Sequence, residues 1–419
     1  MTRRGIITAV AALVIVAGII AYAVIPSRHL YEPEVQIQQE DYALARAHFQ
    51  TRLTRIAGSP QRDVFALPVP DYVEVVEFPS HGLRLKAWLA GARGQQAQQR
   101  LPAVIFLHGG FEFGAADWDM AVPYWQAGFV VMAPMLRGEN GQPGTFSFLY
   151  DEVDDVLAAA DYLSHEPAVD PEHIYLAGHS AGGTLVLLAI EASDRFRAAA
   201  AFDGSPDQRL LYDGSATKPG NHREVVFDTR DARELEMRSP LAYVASVKSP
   251  VRVFFSYEAA PLNQRSSQRF VALAREHGID AKAIRVWGSH MSHVARAMPQ
   301  SIAFFKQTLG AEVALLRPRV VPPVTPSLIG NTTFRLQGHD SAHVVALAGS
   351  FNGWDSQHYL CARERGEWLC RLDLPPGKYL YQFVVDPGPE EQWMNDPANP
   401  VHEETGNGGN ASVIVVLTP

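Results

Sequence analysis

The sequence is poor in cysteine, with two in 419 residues, Cys361 and Cys370. Two thiols fall short of the ligand set that a structural zinc site needs. Positive charge is also scarce: 36 Lys and Arg stand against 45 Asp and Glu, a net charge of −9. That balance supplies no basic face and excludes nucleic acid as an expected partner. No internal repeat is present, which sets solenoids and propellers aside. No cofactor or metal is expected either. With 47% hydrophobic and 19% charged residues, the chain is globular in composition, and its length suggests two domains.

Charge is missing altogether from Gly5 to Ser27, directly after Arg3 and Arg4. About 20 apolar residues span a bilayer, and the flanking arginines would hold the N-terminus on the cytoplasmic side. Residues 1–27 are therefore expected to be a membrane anchor. The alternative is a cleaved signal peptide, since Ala21-Tyr22-Ala23 has the small-x-small form. Either one implies export and an extracytoplasmic location, periplasmic or at the cell surface. Cys361 and Cys370 fit that setting. They lie in YLCARERGEWLC, a hairpin pattern turning at Gly366, and could bridge across it or remain two small apolar residues.

Residues 28–69 form a polar segment in which the spacing over 34–57 predicts an amphipathic helix, a stalk or an edge-packing element. VEVVEF and LRLKAWLA then alternate around Ser80-His81-Gly82, a hairpin signal. From 102 to 309, within a domain expected over 70–310, short apolar runs (AVIFL, FVVMAP, IYLAG, AAAAF, VRVFFSY, AKAIRVW) alternate with helical stretches. This is an α/β pattern, a mostly parallel sheet with helices on both faces. The stretch 204–247 breaks the rhythm and reads as an insertion over the strand ends. Residues 311–331 are a proline-rich linker. From 332 to 419, alternating strands separated by Gly, Pro and Asn turns predict an all-β, immunoglobulin-like sandwich.

The chemistry centres on YLAGHSAGGTL at 175–185. A G-x-S-x-G between a strand and a helix is the nucleophile-elbow context, in which a sharp turn demands tiny neighbours around Ser180. The backbone N–H of Ala181, at the start of the following helix, is placed to stabilise an oxyanion. LHGGFEFG at 107–114 follows the strand AVIFL, and its turn offers a second donor from Gly110 or Phe111. His108 and His179 read as structural, because the order of such sites along the chain is serine, acid, histidine. WGSHMSH supplies the base: His290 lies in a glycine-containing loop after the last strand, and His293 competes with it. The acid should follow VRVFFSY, where no aspartate stands. Glu258 is the carboxylate there, and Asp203, after AAAAF, is the alternative.

MAPMLRGENG through YDEVDDVLAAADYLSHEPAVDPEHIYLAGHSAGGTLVLL resembles the catalytic domain of the prolyl-oligopeptidase and dienelactone-hydrolase branch of α/β-hydrolases. The resemblance implies an α/β-hydrolase fold over about 70–310, with Ser180 as nucleophile and His290 as base. The branch holds both peptidases and esterases, so small-molecule esters and peptides are both expected substrates. The sequence departs from it at Ser256-Tyr257-Glu258-Ala259, where Gly-x-x-Asp is usual.

VVALAGSFNGWD, EWLCRLDLPPGKYLYQFVVD, EEQWMNDPANP and NGGNASVIVVL resemble the glycogen-binding type of carbohydrate-binding module. The resemblance covers 333–418 and implies a polysaccharide partner. Trp354 and Trp393 would stack on sugar rings, and Asn410 would donate a hydrogen bond. Gln382 stands where that family usually has lysine.

Three functions are consistent with these features. The first is an exported serine hydrolase cleaving an ester, on a carbohydrate in view of the second domain. The second is a serine peptidase of the prolyl-oligopeptidase kind. The third, motivated by the missing aspartate after VRVFFSY, is a non-catalytic glycan-binding or scaffold protein whose hydrolase domain has decayed.

Overall fold

The structure is a computed structural model that describes residues 36–56, 58–59, 69–92, 100–212, 225–309, 328–340, 342, 344–352, 354, 359–385, 392–404 and 410–417. The expected anchor or signal segment, 1–27, lies outside the described residues. No helix among the described residues is long and apolar enough to cross a membrane.

The helix expected over 34–57 is confined to α1 (Tyr42–His48), capped by the Asp41 side chain. It packs onto the body of the protein. Tyr42 is fully buried, and its hydroxyl donates to the Met237 carbonyl at 2.7 Å. Arg46 pairs with Asp154 at 2.7 Å. Of the two expected roles, edge packing describes it and a stalk does not.

Next come β1 (Val73–Ser80), β2 (Leu83–Ala90), β3 (Leu101–Leu107), α2 (Ala115–Gln126), β4 (Val130–Pro134), α3 (Glu152–His165), β5 (Val169–His179), α4 (Ala181–Ala192) and β6 (Ala199–Phe202). Two short helices, α5 (Arg209–Tyr212) and α6 (Ala232–Glu236), and a 3-10 turn (Pro240–Ser246) lead to β7 (Val251–Ser256). Then α7 (Pro261–Glu276), β8 (Ala281–Val286) and α8 (His293–Gln307) complete the first domain.

The eight strands form one sheet in the order β1-β2-β4-β3-β5-β6-β7-β8, antiparallel at β1, β2 and β4 and parallel from β4 to β8. The continuous apolar strands β3 and β4 are buried on both faces because helices cover both. Along β3, Ala103, Ile105 and Leu107 enter the core on one face, while Val104 and Phe106 enter the core on the other. This is the period of two expected of a central strand. The parallel strands all point their carboxyl ends the same way, so the turns after β3, β5, β6, β7 and β8 gather at one edge.

The second domain comprises β9 (Thr332–Gln337), β10 (Val345–Gly349), β11 (Tyr359–Leu360), β12 (Ala362–Glu364), β13 (Glu367–Leu372), β14 (Gly377–Val385), β15 (Gln392–Met394), β16 (His402–Glu404) and β17 (Asn410–Val416). Two antiparallel sheets, β12-β13-β9 and β11-β10-β14-β17-β16 with β15 on β14, enclose a core containing Phe334, Leu347, Trp368 and Phe383. Cys361 and Cys370 are joined in a disulfide. The register that pairs Ala362 with Leu369 sets these two residues opposite each other.

Candidate active site

The turn between β5 and α4 holds Ser180 at φ 56° and ψ −118°, a conformation that side-chain-bearing residues rarely adopt. Crowding explains its glycines. A Cβ on Gly178 would lie 2.6 Å from the Gly182 carbonyl oxygen, and one on Gly182 would press on the Leu107 and His108 carbonyls. The strained turn lifts the Ser180 hydroxyl out of the sheet edge and into a cleft of about 610 Å³. Gly110, Phe111 and Ala181, the residues expected to donate to an oxyanion, line the same cleft.

His290 sits in the loop between β8 and α8. Its Nε2 lies 3.0 Å from the Ser180 hydroxyl oxygen, and its Nδ1 lies 3.1 Å from a carboxylate oxygen of Asp203. The carboxylate that meets His290 is thus Asp203, the expected alternative, and not Glu258, the first expectation. Glu258 borders the cleft as an exposed side chain, one strand further along the sheet. Asp203 stands directly after β6 in a left-handed conformation, φ 48°, which turns its carboxylate back over the strand ends. There its other oxygen accepts the backbone N–H of Ser256 at 2.8 Å. The end of β7, where the usual acid is missing, thus contributes a main-chain donor to the acid on its neighbour. Burial would raise the Asp203 carboxyl, but the hydrogen bond from His290, the nearby His293 and the Ser256 N–H bring it down to about 2.

Three further histidines, His293, His108 and His179, lie close to the site without lining the cleft. His293, the expected competitor for the base, is fully buried at the start of α8, its Nδ1 3.0 Å from the His290 carbonyl oxygen. It does not line the cleft. Burial lowers its pKa. His108 forms a buried ion contact with Glu139 at 2.9 Å, without hydrogen-bond alignment. Burial would lower the His108 pKa, and the Glu139 charge overrides this and raises it to about 9. His179 does more than fill space. It is 2% exposed, and its Nε2 donates to the His290 carbonyl at 2.8 Å. Sequence reasoning misses this contact, because its acceptor is a backbone atom 111 positions away.

Chemically, Ser180, His290 and Asp203 form a continuous relay. The imidazole can take the serine proton through Nε2 while Asp203 holds Nδ1–H and balances the charge that forms. No cluster of three or more metal-ligating side chains occurs among the described residues.

On the sandwich, Trp354 and Trp393 are half-buried, with ring centroids 6.4 Å apart and planes tilted by 47°. Asn410 is exposed, and its backbone carbonyl accepts from Gln382 Nε2 at 3.2 Å. Gln382 also donates to Asn395 at 2.9 Å, so the residue in the usual lysine position is held by neighbouring amides.

Comparisons with known proteins agree with this architecture. Residues 116–309 match the model of the prolyl oligopeptidase family, and residues 331–418 match that of the glycogen recognition site of AMP-activated protein kinase. A Bacillus subtilis protein named uncharacterized peptidase YtmA is 28% identical over 177 residues, 41% of this chain and 67% of that one. The 5'-AMP-activated protein kinase subunit beta-1 of Sus scrofa is 39% identical over 70 residues, 17% of this chain and 51% of the subunit. A solved puromycin-hydrolyzing peptidase of Mycobacterium tuberculosis superposes with a TM-score of 0.51 at 22% identity, over 60% of this chain and 43% of that chain. This last likeness is one of fold. The match spans about half or less of both the kinase subunit and the solved peptidase. The chain thus carries a serine hydrolase domain of the prolyl oligopeptidase type followed by a module of the glycogen-recognition type.

Proposed function

We propose that this serine hydrolase cleaves an acyl ester borne by a carbohydrate, through an acyl-enzyme on Ser180. The observation that carries the chemistry is the 3.0 Å contact between His290 Nε2 and the Ser180 hydroxyl, backed by Asp203. His290 removes the serine proton as Ser180 attacks the carbonyl carbon. The oxyanion is met by backbone N–H groups of Ala181 and of Gly110 or Phe111. His290 then returns the proton to the leaving alcohol oxygen, and the C–O bond breaks. Water, deprotonated by the same imidazole, attacks the acyl-serine and releases the acid. The glycogen-recognition-type module on the same chain supports a carbohydrate as the carrier of the ester.

Peptide-bond cleavage is the second reading, favoured by the prolyl oligopeptidase match over residues 116–309. The decayed-hydrolase reading rested on a missing aspartate, and Asp203 supplies one at the required distance.

A fluorophosphonate probe tests the enzyme readings. Wild type should label and Ser180→Ala should not; equal absence of label in both would remove them. Acetylated oligosaccharides and aminoacyl amides, offered in parallel, divide the two. Turnover of the amides alone would overturn the ester reading.

A further inference from the structure

His179 ends β5, immediately before Ser180. Three separate features meet on its imidazole. Its Nε2 donates to the backbone carbonyl of His290 at 2.8 Å, and the two rings lie 4.6 Å apart. The chain before Ser180 is therefore tied directly to the loop that presents the base. Its Nδ1 lies 2.9 Å from where a Cβ on Gly109 would stand, so the His-Gly-Gly turn closes down onto this ring and needs a glycine there. Finally, it is 2% exposed and does not line the cleft, so it is not placed to meet a substrate. Burial and the neighbouring His290 and His293 hold its pKa well below the usual histidine value. The ring is then neutral, and with its proton on Nε2 it donates to the His290 carbonyl, which His293 Nδ1 also approaches at 3.0 Å.

We propose that His179 is a positioning residue that keys three loops together: the elbow carrying Ser180, the loop carrying His290 and the turn carrying the oxyanion donors. The inference rests on the Ser180–His290–Asp203 reading and extends it to a residue that touches neither substrate nor reacting atoms. A histidine that merely fills the core would stabilise the fold without setting the distance between His290 and Ser180. A keyed one sets that distance, and misplacement by about 1 Å at a reacting centre costs on the order of 100-fold in rate.

The test uses the full chain with 4-nitrophenyl acetate as substrate, and concentrations normalised by melting-verified folded protein. His179→Phe keeps a ring and removes the donor. His179→Gln keeps an N–H in reach of the His290 carbonyl. The Phe variant should lose about 10- to 100-fold in kcat with KM changed less than about threefold, and its fluorophosphonate labelling should slow in parallel. The Gln variant should recover to within about fivefold of wild type, as a retained hydrogen bond requires. A folded Phe variant with wild-type kcat overturns the proposal, as does a Gln variant no better than Phe. Should Phe not fold, Gly109→Ala decides. Its new methyl group would press on the same ring at 2.9 Å and rest at ordinary contact distance, 3.5 Å, from the Ser180 Cβ; it should show the same fall in kcat at constant KM, and wild-type kcat there overturns the proposal. A wild type that neither labels nor turns over ester marks failure of the triad reading itself, and the proposal falls with it.

Discussion

The cleft and the aromatic face of the sandwich use the same backbone device to different ends. Ser180, Asp203 and Trp354 all take left-handed conformations, at φ 56°, 48° and 67°. Of these three, the two in the cleft are met by directional partners: His290 for Ser180, and the Ser256 N–H together with His290 for Asp203. On the sandwich, Trp354 and Trp393 offer ring area at a 47° tilt. Directional relays fail as a unit when one member is lost, whereas contact area is lost in portions.

That contrast can be broken at its strongest point first. Asp203→Asn should lower kcat on 4-nitrophenyl acetate by about 10³–10⁴-fold, because an amide cannot hold the His290 tautomer or balance its charge. Glu258→Gln should stay within about threefold of wild type, since it lies outside the relay. The reverse ranking would return the acid to Glu258. On the sandwich, Trp354→Ala and Trp393→Ala should each weaken retention on immobilised glycogen by about two- to tenfold, as the loss of one aromatic contact allows. Complete loss from either single change would mean that the platform acts as a unit after all, and unchanged retention would remove it as a glycan site.

The smallest expected effect sharpens the comparison by pH. The folded-state pKa of His108, about 9, exceeds its ordinary value of about 6.5. Its pairing with Glu139 therefore stabilises fully below about 6.5 and is lost as pH rises through about 9. The melting temperature of the hydrolase domain should fall by a few degrees between pH 7 and pH 10, and Glu139→Gln should flatten that slope. A flat wild-type profile would contradict the assignment.

Most of the fold can be read from the sequence because burial leaves a pattern. Apolar runs such as AVIFL and FVVMAP are what a sheet covered on both faces requires, and the elbow glycines follow from crowding that only glycine relieves. The acid is harder to read. Asp203 and Glu258 both follow a strand, and the choice depends on a left-handed turn and a backbone donor that no residue type announces. The helix predicted over 34–57 exceeded α1 for a related reason. Its polar periodicity continues past His48, while the packing that holds it centres on Tyr42, Ala45 and Arg46.

Placing the acid on β6 has a consequence for how this scaffold can change. The connection from β7 to α7, residues 257–260, is released from the catalytic relay, and what the relay takes from β7 is a main-chain N–H that every residue except proline provides. Along that connection, exchanging Glu258, Ala259 or Ala260 alters no bond of the relay, whereas Tyr257 stacks on Trp287 at 3.9 Å, just before the loop that carries His290. The stretch 258–260 is a ready place to graft new selectivity onto an existing engine.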